Sequence, residues 1–467
     1  MELHETQGTF WIPDVDKYVE GKLVRSDKTA TLILRQSFDK RHFNAINSDR
    51  RSHICCIFGQ LATGQYCRLH ECNLTFSSPI EADYIFSIDI VYTSMNEEVL
   101  GSELNFISAK FRFKQLFDWV EHDHFKIEYN DDRSVRGVVR EEKELEFRKL
   151  YESEDVDIEL VHTTIIPAGN SNAKPKYVLE QFNDIKVTLS ENGKMEEFFL
   201  LVKKIQELFI FMFNDFVEFP EIIKLSDKQN KKYDCEVYMK GIIRSTPMVP
   251  NTSGSYLMIN HKNFSQEFPP QELFENWLNN YDQYEVPLHR LIRSMSNLEN
   301  ELEYGLLSII FAIDALQKID LDGVNDENYL SSKNIKLLKK LEEQNIDSNT
   351  VKSLRASLIK RDRTKLEAKF KHLIDPIGPL VFEKISITQE DFLERLLNTR
   401  HSIAHGLDLS RTIDREKYSI YTTVSEAILC ALFMKKFGMN DEKINAALFQ
   451  SLRFRYAAGK RLFNNSI

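Results

Sequence analysis

The sequence has little cysteine, glycine or proline: 6, 16 and 12 of its 467 residues. Six unevenly spread cysteines argue against a disulfide framework. There is no glycine-rich phosphate-binding loop, so no ATP or GTP cofactor is implied. No apolar run reaches the roughly 20 residues that a membrane-spanning helix needs. The richest one, at 198–213, is interrupted by Lys203 and Lys204.

Composition predicts a globular chain of two domains. The hydrophobic fraction is 42% and the charged fraction 28%, which is typical of a folded protein. A length of 467 residues exceeds the usual limit of a single domain. Residues 1–6 include neither a basic segment nor an apolar one, so we expect no signal peptide and a cytoplasmic location, with no membrane partner.

The two halves differ in the period of their apolar residues. Short segments with period two, such as residues 84–92, predict a β-rich, sandwich-like domain over residues 1–270, with a long amphipathic helix near 194–217. Helical periodicity dominates residues 285–467 and predicts a bundle. The fold class is therefore α+β, a β-rich domain followed by an all-α domain. Separate helices are predicted at Gln271–Asn279 and Pro287–Ser296.

A seven-residue element, RHSIAHG at 400–406, carries the chemistry. Just before it, Phe392, Leu396 and Leu397 fall at i, i+4 and i+5, which predicts an anchored helix with the element at or just past its end. A neutral imidazole can accept the proton of a ribose 2′-OH, and an imidazolium can return one to the leaving 5′ oxygen. A guanidinium can bind the phosphate with two donors and stabilise its developing charge. This predicts RNA cleavage with Arg400 on the phosphate, His405 as acid/base residue and His401 as a supporting or second acid/base residue. No metal is required.

The spacing of the element raises a geometrical question. Five residues of an ideal helix turn through a net angle of about 140°, so Arg400 and His405 would diverge, whereas His401 and His405 would share a face. Either the helix ends near Gly406, or a second copy of the chain completes the site. A two-fold dimer presents the same patch twice, so one element per chain suffices.

Simpler explanations exist for this and other motifs. Arginine and histidine near a helix C-terminus interact favourably with the helix dipole without any catalysis. Cys67 and Cys72, with His53 upstream, are too loosely spaced for the usual zinc pairs, and buried strand cysteines explain them better. His122 and His124 flank an aspartate in the manner of a metal-binding pair, but a solvated turn explains them better.

Charge is unevenly distributed. The net charge is −10, which argues against wholesale nonspecific binding of nucleic acid. From residue 400 onward, eleven Lys/Arg stand against six Asp/Glu, a local charge of +5. Arg453, Arg455, Lys460 and Arg461 are interleaved with aromatic residues, which predicts contacts to RNA phosphates. A solvated face of a C-terminal helix explains the same cluster.

These motifs resemble a known family. An arginine followed by a polar residue and, five positions on, a histidine is the signature of HEPN ribonucleases. The segment at 300–307 resembles the first long helix of an Apea-like HEPN domain. The opening at 8–13, with residues 21–23, is similar to the start of the N-terminal domain of ApeA-type phage-defence proteins.

The resemblance implies a metal-independent endoribonuclease without cofactor, acting in abortive infection against phage. It implies a homodimer through the HEPN domain, transfer RNA as a candidate target, and a phage-derived trigger sensed by the N-terminal domain. HEPN families often place an acidic or polar residue on an early helix near the arginine, so Asp314 could orient Arg400 or a histidine; a solvent-facing carboxylate is the alternative. A catalytically silent RNA-binding, nucleotide-binding or dimerisation module remains the competing hypothesis.

Overall fold

The computed structural model divides into two compact units, Met1–Gln206 with Val217–Arg244, and Glu207–Phe216 with Ser245–Ile467. The residues it describes are 4–13, 15–26, 29–38, 53–77, 84–95, 97–101, 104–113, 115–120, 125–131, 135–140, 148–165, 180–217, 220, 222–226, 234–239, 258–296, 302–321, 332–344, 346–363, 366–385, 387–405, 413, 417–451 and 453–455.

The first unit is rich in β-structure, as the sequence predicted. Its strands are β1 (His4–Trp11), β2 (Val19–Ser26), β3 (Thr29–Leu34), β4 (His53–Leu61), β5 (Tyr66–Ser77), β6 (Tyr84–Ile88), β7 (Ile90–Ser94), β8 (Asn105–Phe111), β9 (Phe125–Tyr129), β10 (Val135–Arg140), β11 (Lys149–Glu152), β12 (Val156–Ile165), β13 (Glu180–Lys194), β14 (Ile222–Ser226) and β15 (Asp234–Met239). The unit also contains a short helix α1 (Leu116–Val120) and a 3-10 turn (Glu97–Leu100).

Thirteen of these strands form one sheet, in the order β11-β12-β13-β8-β14-β15-β7-β5-β4-β1-β2-β3-β6, and β9 pairs with β10 separately. An additional pairing of β5 with β6 closes β5, β4, β1, β2, β3 and β6 into a ring. Strand β5 pairs with β7 over Tyr66–His70 and with β6 from Asn73 onward. Glu71, which lies between these stretches, has a positive φ of 54°.

Alternation of side chains explains the core of the closed ring. On β6, Tyr84, Phe86 and Ile88 are buried, and the residues between them are only partly so. Leu32 of β3 and Leu69 of β5 are fully buried in the same apolar cluster. Because successive strand residues point to opposite faces, one face of each strand fills the interior of the ring.

The second unit is helical, which confirms the predicted fold class. Its helices, with one that it shares with the first unit, are α2 (Met195–Phe213), α3 (Pro270–Met295), α4 (Leu302–Leu321), α5 (Ser332–Glu343), α6 (Ser348–Arg363), α7 (Leu366–Ile374), α8 (Gly378–Phe382), α9 (Gln389–His405), α10 (Tyr418–Lys436) and α11 (Asp441–Gln450). A 3-10 turn occupies His261–Asn263. Residues 195–206 of α2 group with the first unit and the remainder with the second.

Helix α4 lies at the centre of the bundle, against α3, α7, α9 and α10. Its apolar residues are buried on several sides, which suits a central position. An aromatic cluster formed by Phe211, Trp277 and Phe437 fills the interior between α2, α3 and the end of α10. These helices form the scaffold that holds α9 and its RHSIAHG element.

The prediction of separate helices at Gln271–Asn279 and Pro287–Ser296 was wrong, because α3 is one continuous helix that runs through Pro287. Proline removes a backbone hydrogen bond and costs about 3 kcal/mol inside a helix. Pro287 and the following Leu288, Leu291 and Ile292 are all buried. Burial of several apolar side chains, at about 1.5–3 kcal/mol each, outweighs that cost.

Candidate functional site

The RHSIAHG element lies at the end of a well-anchored helix, as predicted. Helix α9 begins beside Thr388, whose hydroxyl accepts a hydrogen bond of 3.2 Å from the backbone N–H of Asp391. Phe392 is fully buried and stacks on Tyr421 of α10, with 5.4 Å between ring centroids and 7° between ring planes. Leu396, one turn further on, is fully buried as well. This apolar stripe fixes the rotation of α9 against the bundle.

The helix continues to His405, so Arg400, His401 and His405 all lie in its last turns. An ideal helix separates positions 400 and 405 by about 140° around its axis and stacks positions 401 and 405 on one face. The structure describes the backbone of the two histidines; their side chains, and Gly406, lie outside the described residues.

Thr399, the residue before Arg400, forms a hydrogen bond with Ile413, which follows the RHSIAHG element in sequence. Thr399 is fully buried; its hydroxyl donates to the carbonyl of Arg395 at 2.8 Å and accepts from the backbone N–H of Ile413 at 2.9 Å. Ile413 is itself buried. Ile413 is therefore held against the residue that immediately precedes Arg400.

The guanidinium of Arg400 lies over an aromatic ring of α4. Its Cζ is 5.8 Å from the centroid of Phe311, a residue that remains 39% exposed. The Nε of Arg400 is buried and has no hydrogen-bond partner among the described residues. A buried donor without a partner is costly unless something binds it. The geometry holds a partly buried cation next to an exposed aromatic face.

A second guanidinium lies over the same ring. The Cζ of Arg290, on α3, is 5.6 Å from the centroid of Phe311. Sequence reasoning missed both Arg290 and Phe311. Phe311 belongs to an apolar helix whose other large residues are mostly buried, and nothing in the local sequence marks it as the exposed member.

Asp314 lies one turn along α4 from Phe311, with its side chain 17% exposed. Its carboxylate forms an ion pair of 3.0 Å with Lys318 of the same helix. Among the described contacts, the structure pairs Asp314 with Lys318 and not with Arg400. Its predicted role in orienting Arg400 stays a prediction.

The C-terminal basic cluster is only partly described. Arg453 donates from Nη1 to the carbonyl of Met295 at 2.9 Å and lies 3.6 Å from the carboxylate of Glu426, which is 5% exposed. Ser294 donates to the same carboxylate at 2.5 Å. Arg453 thus has internal partners, whereas Arg455 is exposed. Lys460 and Arg461 lie outside the described residues.

All six cysteines are free, and Cys67 and Cys72 are buried in β5, as expected for strand cysteines. Burial raises the pKa of the Cys67 thiol to about 12. Among the described residues, no group of three His, Cys, Asp or Glu side chains could hold a metal ion; His122 and His124 lie outside them. No helix within the described part of the chain is long and apolar enough to cross a membrane.

The first unit contains a polar cavity of about 290 Å³. It lies where β5, β7, β8 and the start of α2 meet, and its lining consists of Arg68, His70, Tyr92, Leu104, Asn105, Lys194, Met195 and Glu196. Arg68 donates from Nε to Nε2 of His70 at 2.6 Å. Burial, assisted by the charge of Arg68, lowers the pKa of His70 to about 4. His70 is therefore neutral at physiological pH and fixed as an acceptor at Nε2.

Comparison with known families matches both units. A family model for Apea-like HEPN matches residues 307–443, which include α9 and its RHSIAHG element. A model for ApeA N-terminal domain 1 matches residues 5–267, more than half of the chain. No curated protein and no solved structure matches.

Proposed function

The chain belongs to the ApeA family of anti-phage defence proteins with a HEPN domain, and on that premise we propose that it is a metal-independent endoribonuclease. The substrate is RNA, with transfer RNA as the first candidate. Cleavage of host or phage RNA would stop phage multiplication through abortive infection. Within the family the HEPN domain points to a nuclease, while the reaction itself is our proposal.

The proposed reaction needs three groups and no metal. The ribose 2′ oxygen loses its proton to a neutral imidazole and attacks the adjacent 3′-phosphate in line. The bond from phosphorus to the 5′ oxygen breaks, and an imidazolium donates a proton to that oxygen. The products are a 2′,3′-cyclic phosphate and a 5′-OH. His405 is the leading acid/base residue, His401 the second, and Arg400 stabilises the charge on the phosphate.

The surroundings of Arg400 are the observation that carries the proposal. Its guanidinium is positioned by Phe311, and its Nε lacks a hydrogen-bond partner among the described residues. Among these residues it also has no carboxylate within ion-pair distance. An arginine that only stabilised the bundle would be expected to use such partners. A phosphate would supply the missing acceptor.

A homodimer would complete the site. The helix runs through the whole interval from Arg400 to His405, so a single copy directs these positions apart. Two copies related by a two-fold axis would place Arg400 of one chain near His405 of the other. We propose that the HEPN domain supplies this interface and that RNA binds in the cleft between the copies.

The N-terminal unit is proposed to sense the phage-derived trigger. The cavity lined by Arg68, His70 and Lys194 offers a polar, partly enclosed place for recognition. Its volume of about 290 Å³ lies at the lower end of the range for small-ligand sites.

The function is tested by incubating the purified full chain with total RNA and with transfer RNA, with and without EDTA. We expect cleavage that EDTA does not abolish, and fragments with 2′,3′-cyclic phosphate and 5′-OH ends. Fragments with 3′-OH ends, or activity that strictly requires a divalent metal, would overturn the mechanism. RNA binding without cleavage, in the presence of phage-infected lysate as a source of trigger, would favour the silent binding module.

A further inference from the structure

Two arginines from different helices lie close to the ring of the exposed residue Phe311. Arg290 of α3 has its Cζ 5.6 Å from the ring centroid, and Arg400 of α9 has its Cζ 5.8 Å away. Phe311 is 39% exposed, and both arginines are partly buried. We call Arg290, Phe311 and Arg400 the ring cluster.

The ring cluster concentrates positive charge. Among the described residues, neither Arg290 nor Arg400 has a carboxylate within ion-pair distance. Two guanidiniums held within about 6 Å of one ring repel each other unless an anion lies between or beside them. An exposed phenylalanine gains nothing by facing water. Both features are costly in the free protein and favourable with a suitable ligand.

We propose that the ring cluster binds single-stranded RNA, with a base stacked on Phe311 and a phosphate bound by Arg290. This rests on the proposed function, because it places a nucleotide next to the phosphate assigned to Arg400. An aromatic face stacks on any base, and flanking guanidiniums bind the sugar–phosphate backbone. Phe311 is then a base-stacking residue, and Arg290 a phosphate-binding residue outside the RHSIAHG element.

A second copy of the chain fits this surface less well than RNA. A dry two-fold contact centred on Phe311 would bring four guanidiniums together, two from each copy. Like charges that meet in an interface cost several kcal/mol. RNA in a cleft between the copies removes this repulsion, since its phosphates supply the opposite charge.

The chain offers a matched control in the same unit. Phe449 of α11 is 42% exposed and has Lys384 over its ring, with 4.8 Å from Nζ to the centroid. It is thus an exposed phenylalanine with one cation, away from the RHSIAHG element in sequence. Its replacement controls for the loss of an exposed aromatic residue as such.

The test measures binding of the full chain to a fluorescent single-stranded RNA whose 2′ oxygens are methylated, so that it cannot be cleaved. Phe311→Ala should weaken binding by roughly 5- to 150-fold, and Phe311→Tyr should restore it. Arg290→Ala should weaken binding and lower the slope of log affinity against log salt by about 0.7, the loss of one phosphate contact. Phe311→Ala should leave that slope unchanged, and Phe449→Ala should leave both quantities unchanged.

Wild-type affinity in Phe311→Ala and Arg290→Ala would overturn the proposal. An equal loss of RNA affinity in Phe449→Ala would also overturn it. If light scattering shows that Phe311→Ala is monomeric and it still binds RNA with wild-type affinity, the ring cluster is a protein interface and the proposal is wrong. The results distinguish failure of this proposal from failure of the proposed function. If RNA binding depends on Phe311 but unmodified RNA is not cleaved, the nuclease proposal is wrong. If RNA is cleaved and the Phe311→Ala chain binds RNA as tightly as the wild type, the proposed role of the ring cluster is wrong.

Discussion

The hydroxyl of Thr399 accepts a hydrogen bond of 2.9 Å from the backbone N–H of Ile413, fourteen residues further along the chain. Both residues are buried. The bond fixes the two ends of the segment that contains Arg400 and His405. It links the position of the proposed catalytic helix end to the segment that leads into α10.

Thr399→Val should therefore destabilise the protein by about 1–3 kcal/mol, because it leaves the buried N–H of Ile413 without an acceptor while keeping the side-chain shape. Urea unfolding measures the change. Thr399→Ser retains the hydroxyl and should recover the hydrogen-bond contribution. Equal stability of the wild-type and valine chains would show that this bond does not hold the segment.

Arg400→Ala and His405→Ala should each abolish RNA cleavage and toxicity in cells while the chain stays folded. Arg400→Lys should restore little, since an ammonium cannot bind phosphate with two parallel donors. Circular dichroism and cleavage of total RNA measure the two effects. A folded Arg400→Ala or His405→Ala chain that cleaves RNA at the wild-type rate would refute the proposed site.

Mixing wild-type chains with an excess of Arg400→Ala chains should lower RNA cleavage below the level given by the same amount of wild-type chain alone. At a roughly ninefold excess, about one wild-type chain in ten pairs with another wild-type chain, and mixed dimers have an incomplete cleft. The chains are mixed and allowed to exchange before cleavage is measured. Light scattering that finds a fully active monomer at the assay concentration would exclude the composite site but not the nuclease.

Arg453→Ala should lower stability on the order of 2–3 kcal/mol, because it leaves the carboxylate of Glu426 buried without its cation. This loss of stability is no larger than the loss expected on breaking a fully buried ion pair, because the side chain of Arg453 is 27% exposed. Arg455→Ala, at an exposed position where polar contacts contribute about 0–1 kcal/mol, should lower stability by less than Arg453→Ala does. Normal stability with reduced RNA affinity in Arg453→Ala would instead support the RNA contact predicted from the sequence.

The stability of the wild-type chain should fall as the pH is lowered from about 6.5 to about 4. The pKa of His70 is lowered to about 4 in the folded protein, so in this window the unfolded chain binds a proton that the folded chain does not. Below about pH 4 both states are protonated and the contribution stops changing. His70→Gln keeps an acceptor for Arg68 and cannot titrate, so its stability should depend less on pH across this window. The free energy of unfolding of both chains is measured by urea denaturation at each pH. The same pH dependence in the wild-type and His70→Gln chains would contradict the prediction.

The sequence by itself determined the features that depend on near neighbours. Apolar periods of two and of 3.6 predicted the β-rich and helical units, and the stripe through Phe392 and Leu396 predicted the helix that carries Arg400 and His405. Residue chemistry alone identified that pair, because proton transfer and phosphate binding demand those side chains. The resemblance to ApeA-type proteins rested on the RHSIAHG element together with residues 8–13, 21–23 and 300–307, and the family models confirmed it in both parts of the chain.

Only the tertiary structure decided which distant residues meet. Arg290, Phe311 and Arg400 come from three helices, and their positions depend on how those helices pack around α4. The bond from Ile413 to Thr399, and the continuity of α3 through Pro287, depend likewise on burial. Local sequence patterns cannot encode these contacts, because the free energy of packing is set by the whole core and outweighs the preferences of single residues.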